Sequence, residues 1–421
     1  MTENAVTSRA DAAACDELDP LRSFPDRFVD DGDVIYLDGN SLGRLPKSTA
    51  TRVAAVLKEE WGRGLVRSWE QWIGLSTELG DLLAVGVLGA VPGSVVMADS
   101  TTVNLYKLAC AALDARPGRR VIVTDDDNFP SDRYVLQGLA QQRGLEYREL
   151  STDPVSGLSL ESVRGALTID VALMSFSQVA YRSGALAEMG VLTAAAHDVG
   201  ALTLWDLSHG AGAVPAELTE YDVDLAVGCS YKYLCGGPGA PAWLYVRPDL
   251  GKELRQPIWG WFGQTDQFAM GPSYSPAAGI ERFLSGTPPV LSLVACEEGF
   301  RIVAEAGVAR LRAKGIALTN LGIDLAERWL VPLGFAVASP RDAARRGSHV
   351  SLSHPDAYAL CRTLVEQSAV VPDFRVPDRL RLGFAPLTTR FLDVWTAFER
   401  IREVASQGTY RDTVLGQRRV T

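Results

Sequence analysis

The sequence predicts an α/β fold: a large doubly wound, mostly parallel sheet domain followed by a smaller C-terminal α/β domain. Three observations carry this expectation. From about residue 94 to residue 246, short apolar runs alternate with stretches of helical periodicity, as in a parallel sheet covered by helices on both faces. These runs end in polar or aromatic residues, so one edge of the sheet should collect chemistry. After Val246 the alternation breaks into an aromatic, Gly/Pro-punctuated stretch, and a second, shorter α/β pattern begins near residue 290. The division expected is an N-terminal arm with a shaped loop over 1–47, a large domain over 48–288 and a small domain over 289–421.

Taken in order, Val34–Leu37 reads as a short strand entering the turn-rich segment Asp38-Gly39-Asn40-Ser41-Leu42-Gly43. Pro46 and Ser48 open a helix running to about Trp61. EWGRGLVRSW (Glu60–Trp69) reads as loop-like, either a structural anchor or an active-site wall. A helical pattern over Thr77–Val91 precedes a strand, Ser94–Ala98. Asp99-Ser100-Thr101-Thr102 then leads into a helix over Val103–Asp114. Free N–H groups, the helix dipole and hydroxyls converge at such a turn, which suits an anion, although N-capping needs only one hydroxyl.

Strands follow at Arg120–Thr124, Glu146–Leu150, Ile169–Val179, Ala201–Trp205 and Asp224–Cys229, with helices over Arg133–Arg143, Leu160–Leu167 and Val191–Val199. Phe129 lies just past a strand end, where it either faces a cleft or plugs the core. Beyond the Arg255–Ser275 loop and the turn in ERFLSGTPP come two long helices, Val290–Ala306 and Ala309–Leu330. Strands at Phe335–Ser339, His349–Ser353 and Leu380–Phe384 and helices at Ala357–Ser368 and Thr388–Ala405 complete the small domain, before a polar tail after Gln407.

Composition narrows the function. A net charge of −10, without a basic run interleaved with aromatics, argues against nucleic acid and anionic membranes as partners. No run of about 18 apolar residues suggests a membrane span, and the start lacks the layout of a signal peptide. Six scattered cysteines without a C-x-x-C pair read as reduced core thiols of a cytoplasmic protein. The four histidines lack H-E-x-x-H spacing, so a metal centre is not expected. Neither G-x-x-x-x-G-K-S/T nor a G-x-G-x-x-G after the first strand occurs, so the sheet edge is not built for nucleotides.

The centre of the pattern is AVGCSYKYLCGGPGAPAWLYV (Ala226–Val246), where a buried strand ends in Ser230, Tyr231 and Lys232. A partly desolvated lysine can act as a nucleophile and hold an aldehyde as a Schiff base, although a surface lysine in a turn fits this stretch alone equally well. Thr101, Phe129, Ser177, Asp206 and Lys232 all follow strand ends and should gather on one edge. A carboxylate for a pyridinium nitrogen, a lysine for an aldehyde, a helix end for a phosphate and an aromatic for a ring are together the needs of pyridoxal phosphate.

The segments YLDGNSLGRLP, EWGRGLVRSW, DSTTVNL, NFPSD, WDLSHGAGAVP, GCSYKYLCGGPGAPAWLYV, GWFG, RFLSGTPP and RLGFAPL resemble those of kynureninases, in order, from about residue 34 to 398. The resemblance implies an aspartate-aminotransferase-like (fold type I) enzyme that uses pyridoxal 5'-phosphate to hydrolyse L-kynurenine to anthranilate and L-alanine. It also implies a homodimer with shared sites. It makes Lys232 the Schiff-base lysine, Asp206 the partner of the pyridine nitrogen and Phe129 the stacking ring. Thr101, Thr102 and Tyr231 would contact the phosphate, with Asp132, Ser177 and His209 lining the cofactor. Trp261 and Thr287 would reach the phosphate from the partner subunit. Arg381 would bind the substrate carboxylate, and Ser41 with its neighbours the aryl part. Tyr231 is either a proton shuttle or a phosphate ligand alone, and His209 serves proton transfer or cofactor packing.

Gln264, Ala180 and Thr388 depart from the residues expected in these motifs. They open the way to a 3-hydroxylated or otherwise substituted kynurenine in a biosynthetic pathway. Two rivals remain: a cysteine-desulfurase-like lyase, which needs a cysteine on a mobile loop, and a non-enzymatic cofactor-binding regulator, which needs a DNA-binding module.

Overall fold

The computed structural model describes residues 6–30 and 32–412. Seven strands form the large sheet: β1 (Val95–Ala98), β2 (Val121–Asp125), β3 (Glu146–Leu150), β4 (Val171–Ser177), β5 (Leu202–Asp206), β6 (Leu225–Gly228) and β7 (Ala242–Val246). Their spatial order is β1-β7-β6-β5-β4-β2-β3. Every residue of β1, β2, β5, β6 and β7 is buried, because helices cover both faces and each strand can be apolar throughout.

The strand directions decide where the site lies. Pairs β2–β3, β2–β4, β4–β5 and β5–β6 are parallel, whereas β7 is antiparallel to both β6 and β1. Two reversals cancel, so β1 points the same way as β6. The carboxyl ends of β1, β2, β4, β5 and β6 therefore share one edge, the edge that carries Thr101, Phe129, Ser177, Asp206 and Lys232. Register agrees: Ser177 pairs with Asp206, and Asp206 with Val227.

A second, four-stranded sheet holds β8 (Ala336–Val337), β9 (His349–Ser353), β10 (Asp373–Arg375) and β11 (Arg379–Gly383), ordered β10-β11-β9-β8 and antiparallel throughout. Arg381 sits in the interior strand β11, with Ser351 opposite on one side and Asp373 on the other. The N-terminal segment runs alongside. Ile35–Tyr36 pairs in parallel with Val370–Val371, and the Gly383 N–H donates to the Leu37 carbonyl at 2.7 Å. Residues 38–41 are thereby delivered to the end of β11.

Several elements differ from the sequence expectation. Glu60–Trp69 is not loop-like: helix Lys47–Ala55 continues as a wider turn over Val56–Gly64, and Leu65–Ser68 and Trp69–Trp72 are also helical. Gly62 and Gly64 disguised a continuous helix, which breaks only where Leu65 takes a positive φ of 53°. The leader holds an unforeseen helix, Arg9–Leu18, capped by Ser8 and packed on the last helix, Phe391–Gln407. The pattern over Phe335–Ser339 yields only a two-residue strand. Helix Val290–Ala306 sends Leu293, Val294, Phe300 and Val303 into the core beneath the large sheet. Thr409–Asp412 forms one short helical turn, and the rest of the expected polar tail, 413–421, lies outside the described residues.

Candidate active site

At the shared edge lies a cavity of about 160 Å³, lined by Thr101, Thr102, Phe129, Asp132, Ser177, Asp206, His209, Tyr231 and Lys232. Helix Thr101–Asp114 starts there, with Ser100 as its N-cap accepting from the Val103 N–H. The turn is anchored from behind by Lys107. Fully buried, it reaches the Asp99 carboxylate and donates to the Phe283 carbonyl at 2.8 Å, and burial holds its ammonium below the ordinary lysine range.

Phe129 is placed by Asn128, whose side-chain oxygen accepts from the Phe129 N–H at 2.9 Å and from the Ser177 hydroxyl at 2.7 Å. The ring is partly exposed to the cavity rather than plugging the core, and Tyr181 packs edge-on against it at 5.3 Å. Lys232 Nζ lies 5.8 Å from the Phe129 ring centre and 3.0 Å from His209 Nε2. Burial, and then the Lys232 charge, drive the His209 imidazole well below the ordinary histidine range, so it is neutral. With Nε2 accepting from Lys232, its proton belongs on Nδ1, which has no partner among the described residues.

Asp132 and Asp206 face each other. Burial, and then the Asp206 charge, push the Asp132 carboxyl far above the ordinary carboxylate range, so Asp132 holds a proton and donates it to Asp206. Asp206 Oδ1 also accepts from the Ser208 N–H at 2.7 Å. Burial, and then Cys229, raise the Tyr231 phenol, which stays protonated at the rim.

These features fit pyridoxal phosphate. A lysine, a carboxyl pair, the partly exposed Phe129 ring and a helix start with two threonines all line one cavity, beside a buried His209 Nδ1 that has no partner among the described residues.

Ser41 and Arg381 lie outside the cavity but are joined to it. Arg381 Nη1 donates at 2.7 Å to the carbonyl of Tyr181, which lines the cavity. Its Nη2 donates to Ser41 Oγ at 2.9 Å and to Asp373 at 2.6 Å. With the Asn40 amide oriented by its neighbours, Arg381 Nε donates to it at 3.0 Å, and Gly383 leaves the space that the Asn40 side chain fills. Trp261 and Thr287 do not line this chain's cavity. Trp261 is partly exposed in a short turn against Phe262 and Phe268, and Thr287 is exposed. Nor does any residue of Glu60–Trp69 line it. Glu60 instead anchors Arg52 and the Trp72 indole.

Sequence reasoning passed over Tyr181, Asp38, Asp373, Arg375 and His349, and took Asn40 only as a neighbour of Ser41. The His349 ring lies 5.6 Å from that of His209 and is fully buried. Asp373 and Arg375 offered a signal, since charges two apart on a short strand share one face. Of the three departures, Gln264 bonds within its own loop to Ser273 and Ser275, and neither Ala180 nor Thr388 lines the main cavity.

Residues 311–401 match the family model "Kynureninase C-terminal domain". The chain is 43% identical over 411 residues to a protein named kynureninase from Pseudomonas fluorescens, covering 96% of this chain and 97% of that one. It is 41% identical over 413 residues, with the same coverage, to a kynureninase from Burkholderia pseudomallei (strain 1106a). Among solved structures, an apo cysteine desulfurase from Thermococcus onnurineus NA1 superimposes with a TM-score of 0.76 at 20% identity, over 89% of this chain and 95% of that one. A C-DES mutant with glycine covalently linked to its PLP cofactor gives 0.77 at 17%, over 88% and 97%. The structural likenesses establish the fold alone. The nearly full-length identity to named relatives goes further, and by it the chain belongs to the kynureninase family.

Proposed function

We propose that this chain is a pyridoxal-phosphate-dependent hydrolase that cleaves the Cβ–Cγ bond of L-kynurenine, giving anthranilate and L-alanine. The observation that carries the reading is Lys232 beside neutral His209 in a cavity that also holds the Asp132–Asp206 pair and the Thr101 helix start.

When bound, pyridoxal phosphate supplies an aldehyde for an amine and a ring that draws electrons from the carbons next to that amine. Lys232 would hold the cofactor's aldehyde, and its amine, with His209 Nε2 beside it as hydrogen-bond acceptor, would move the substrate's Cα proton. Asp206, sharing the Asp132 proton, would hold the cofactor's ring nitrogen in its protonated form. Phe129 supports the ring face, and Thr101, Thr102 and Tyr231 take the phosphate. Arg381 takes the substrate carboxylate through the second N–H of Nη1, which has no partner among the described residues. Ser41, beside Arg381, borders the aryl group. Water adds to the aryl ketone under general-base help. Tyr231, protonated at the rim, donates toward the carbon left after cleavage.

We further propose a homodimer in which Trp261 and Thr287 reach the partner's phosphate site. The exposed apolar side chains Trp259, Trp261, Phe268 and Met270 support this, since one loop presents them together. A cytoplasmic setting accords with six free cysteines, five of them buried. A substrate carrying a 3-hydroxyl or another ring substituent is the second reading; it rests on the sequence departures at Gln264, Ala180 and Thr388, none of which lines this chain's main cavity, and the same assay decides it. The cysteine-desulfurase-like rival finds no support in the cysteines. Cys235 is buried with its thiol pushed up to about 12, and Cys361 is buried in helix Ala357–Gln367.

Purified protein loaded with pyridoxal phosphate is mixed with L-kynurenine or 3-hydroxykynurenine, and the fluorescent anthranilate product is followed. Cleavage of either supports the reading. Cofactor bound without cleavage of either sinks it.

A further inference from the structure

Arg381 is enclosed by its own chain. Asn40, Ser41, Asp373 and the Tyr181 carbonyl take four of its five N–H groups, and one on Nη1 is left. Two carboxylates share this guanidinium: Asp373 Oδ2 at 2.6 Å and Asp38 Oδ1 at 4.0 Å. A second guanidinium, Arg375, bonds the same Asp373 oxygen at 2.6 Å. Ser41 ties the set together by donating to Asp373 at 3.1 Å. Two cations thus balance two anions at a place where Arg381 and Asp373 are almost wholly out of water.

A substrate carboxylate on Arg381 would make three anions on two cations. Desolvated charge of that kind is expensive, and the least costly remedy is a proton on one carboxylate. Asp373 is held by two close ion pairs and a hydroxyl. Besides the Ser41 hydroxyl, Asp38 has one ion-pair contact, the longer one with Arg381, so it is the more weakly held of the two and the one to be neutralised. We propose that Asp38 is a positioning residue that takes up one proton when the substrate's carboxylate binds Arg381, so that binding of the amino acid is coupled to protonation of the N-terminal loop.

The inference rests on Arg381 as the carboxylate's partner. Burial, and then the Asp373 charge, push the Asp38 carboxyl up to about 7, so it sits ready to change state near neutral pH. The other groups facing it are Arg381 and Arg375 from the small sheet, Ser41 from its own loop, Tyr36 from its own strand, Tyr233 from the Lys232 loop and Cys361 from helix Ala357–Gln367. Asp373 is the other carboxylic acid among the described groups that face it.

The test is calorimetric titration of the cofactor-loaded protein with L-alanine in buffers of different ionisation enthalpy, which counts the protons taken up. Protons from the ligand amine and Lys232 are common to the wild type and Asp38→Asn, so the difference isolates Asp38. With a free-state value of about 7, that difference should rise from about 0.1 proton at pH 6 to about 0.9 at pH 8. Alanine affinity in the wild type should also fall relative to Asp38→Asn by up to tenfold per pH unit above 7. Equal proton counts at pH 8 overturn the proposal. Should Asp38→Asn fail to bind cofactor, Ser41→Ala serves instead. It removes a hydroxyl that lowers the Asp38 value, so the uptake curve must move to higher pH, and an unmoved curve overturns the proposal. Arg381→Gln separates the two readings. Unchanged alanine affinity removes Arg381 from the carboxylate site, whereas lost affinity with an unaltered Asp38 proton count removes only the coupling.

Discussion

Gly43 is the point where the N-terminal loop touches the Lys232 turn, and replacing it by alanine tests whether the two act as one unit. The Gly43 N–H donates to the Tyr231 carbonyl at 2.7 Å. A Cβ there would stand 2.8 Å from Cys235 Sγ, 2.9 Å from Cys235 Cα and closer still to the Lys232 carbonyl oxygen. Its φ is not positive, so the obstacle is space and not backbone conformation. Ordinary contacts need about 3.5–4 Å, so the loop or the lysine turn must move by roughly 1 Å. Two of the obstructing atoms are backbone, which cannot swing aside as a side chain could. Overpacking of this kind costs about 1–3 kcal/mol of stability. A displacement of about 1 Å at reacting groups costs on the order of 100-fold in rate. The same loop carries Asn40 and Ser41, so substrate binding should weaken along with turnover. Gly43→Ala should therefore show a lowered Tm, a kcat reduced at least tenfold and a raised KM, while the Asp132–Asp206 side of the cavity still binds pyridoxal phosphate. Wild-type kcat and KM in this variant would refute the idea that the loop and the lysine turn are sterically locked.

Lys232→Ala should abolish both turnover and the imine absorbance near ~420 nm. Asp224 accepts from His197 at 2.8 Å, from Thr203 N–H and hydroxyl at 2.8 and 3.0 Å, and pairs with Arg247 at 3.1 Å, all while fully buried. Asp224→Ala should cost about 3–5 kcal/mol in urea unfolding, because several buried partners lose their acceptor together. The bond to Asp224 also raises the His197 value above that of an unfolded histidine. Its contribution is thus complete below about pH 6.5 and disappears as pH rises through the raised folded value, so the stability gap between the wild type and Asp224→Asn should shrink over that interval.

The sheet was legible because parallel strands buried on both faces must be apolar throughout. Glu146–Leu150 was placed to the residue, and the other five strands expected between Ser94 and Cys229 within about two residues. Phe129, Asp206 and Lys232 were legible for a related reason: when the interior of a strand is all apolar, the polar and aromatic residues within a few positions of its end mark the edge. The helix across Glu60–Trp69 was hidden because Gly62 and Gly64 read as loop residues, yet tertiary contacts such as Arg52 with Glu60 and Glu297 hold that stretch helical.

The Arg381 environment was hidden for a deeper reason. Its members come from two stretches more than three hundred residues apart, Asp38–Ser41 and Asp373–Arg381, joined by a two-residue parallel pairing at Ile35–Tyr36. A pairing that short leaves no periodic signal in either stretch. Its consequence is nonetheless large, because it brings a second carboxylate to a guanidinium that already has one. A lone buried arginine would be an open receptor for a substrate carboxylate. Arg381 instead has four of its five donors engaged, so an incoming carboxylate must share it with Asp373 and Asp38. If Arg381 takes the substrate carboxylate as proposed, selectivity at this end depends on how readily the cluster accepts another negative charge, and not on the presence of the arginine alone. The segment the sequence marked as a shaped loop is, on that argument, part of the electrostatics of substrate binding as well as its geometry.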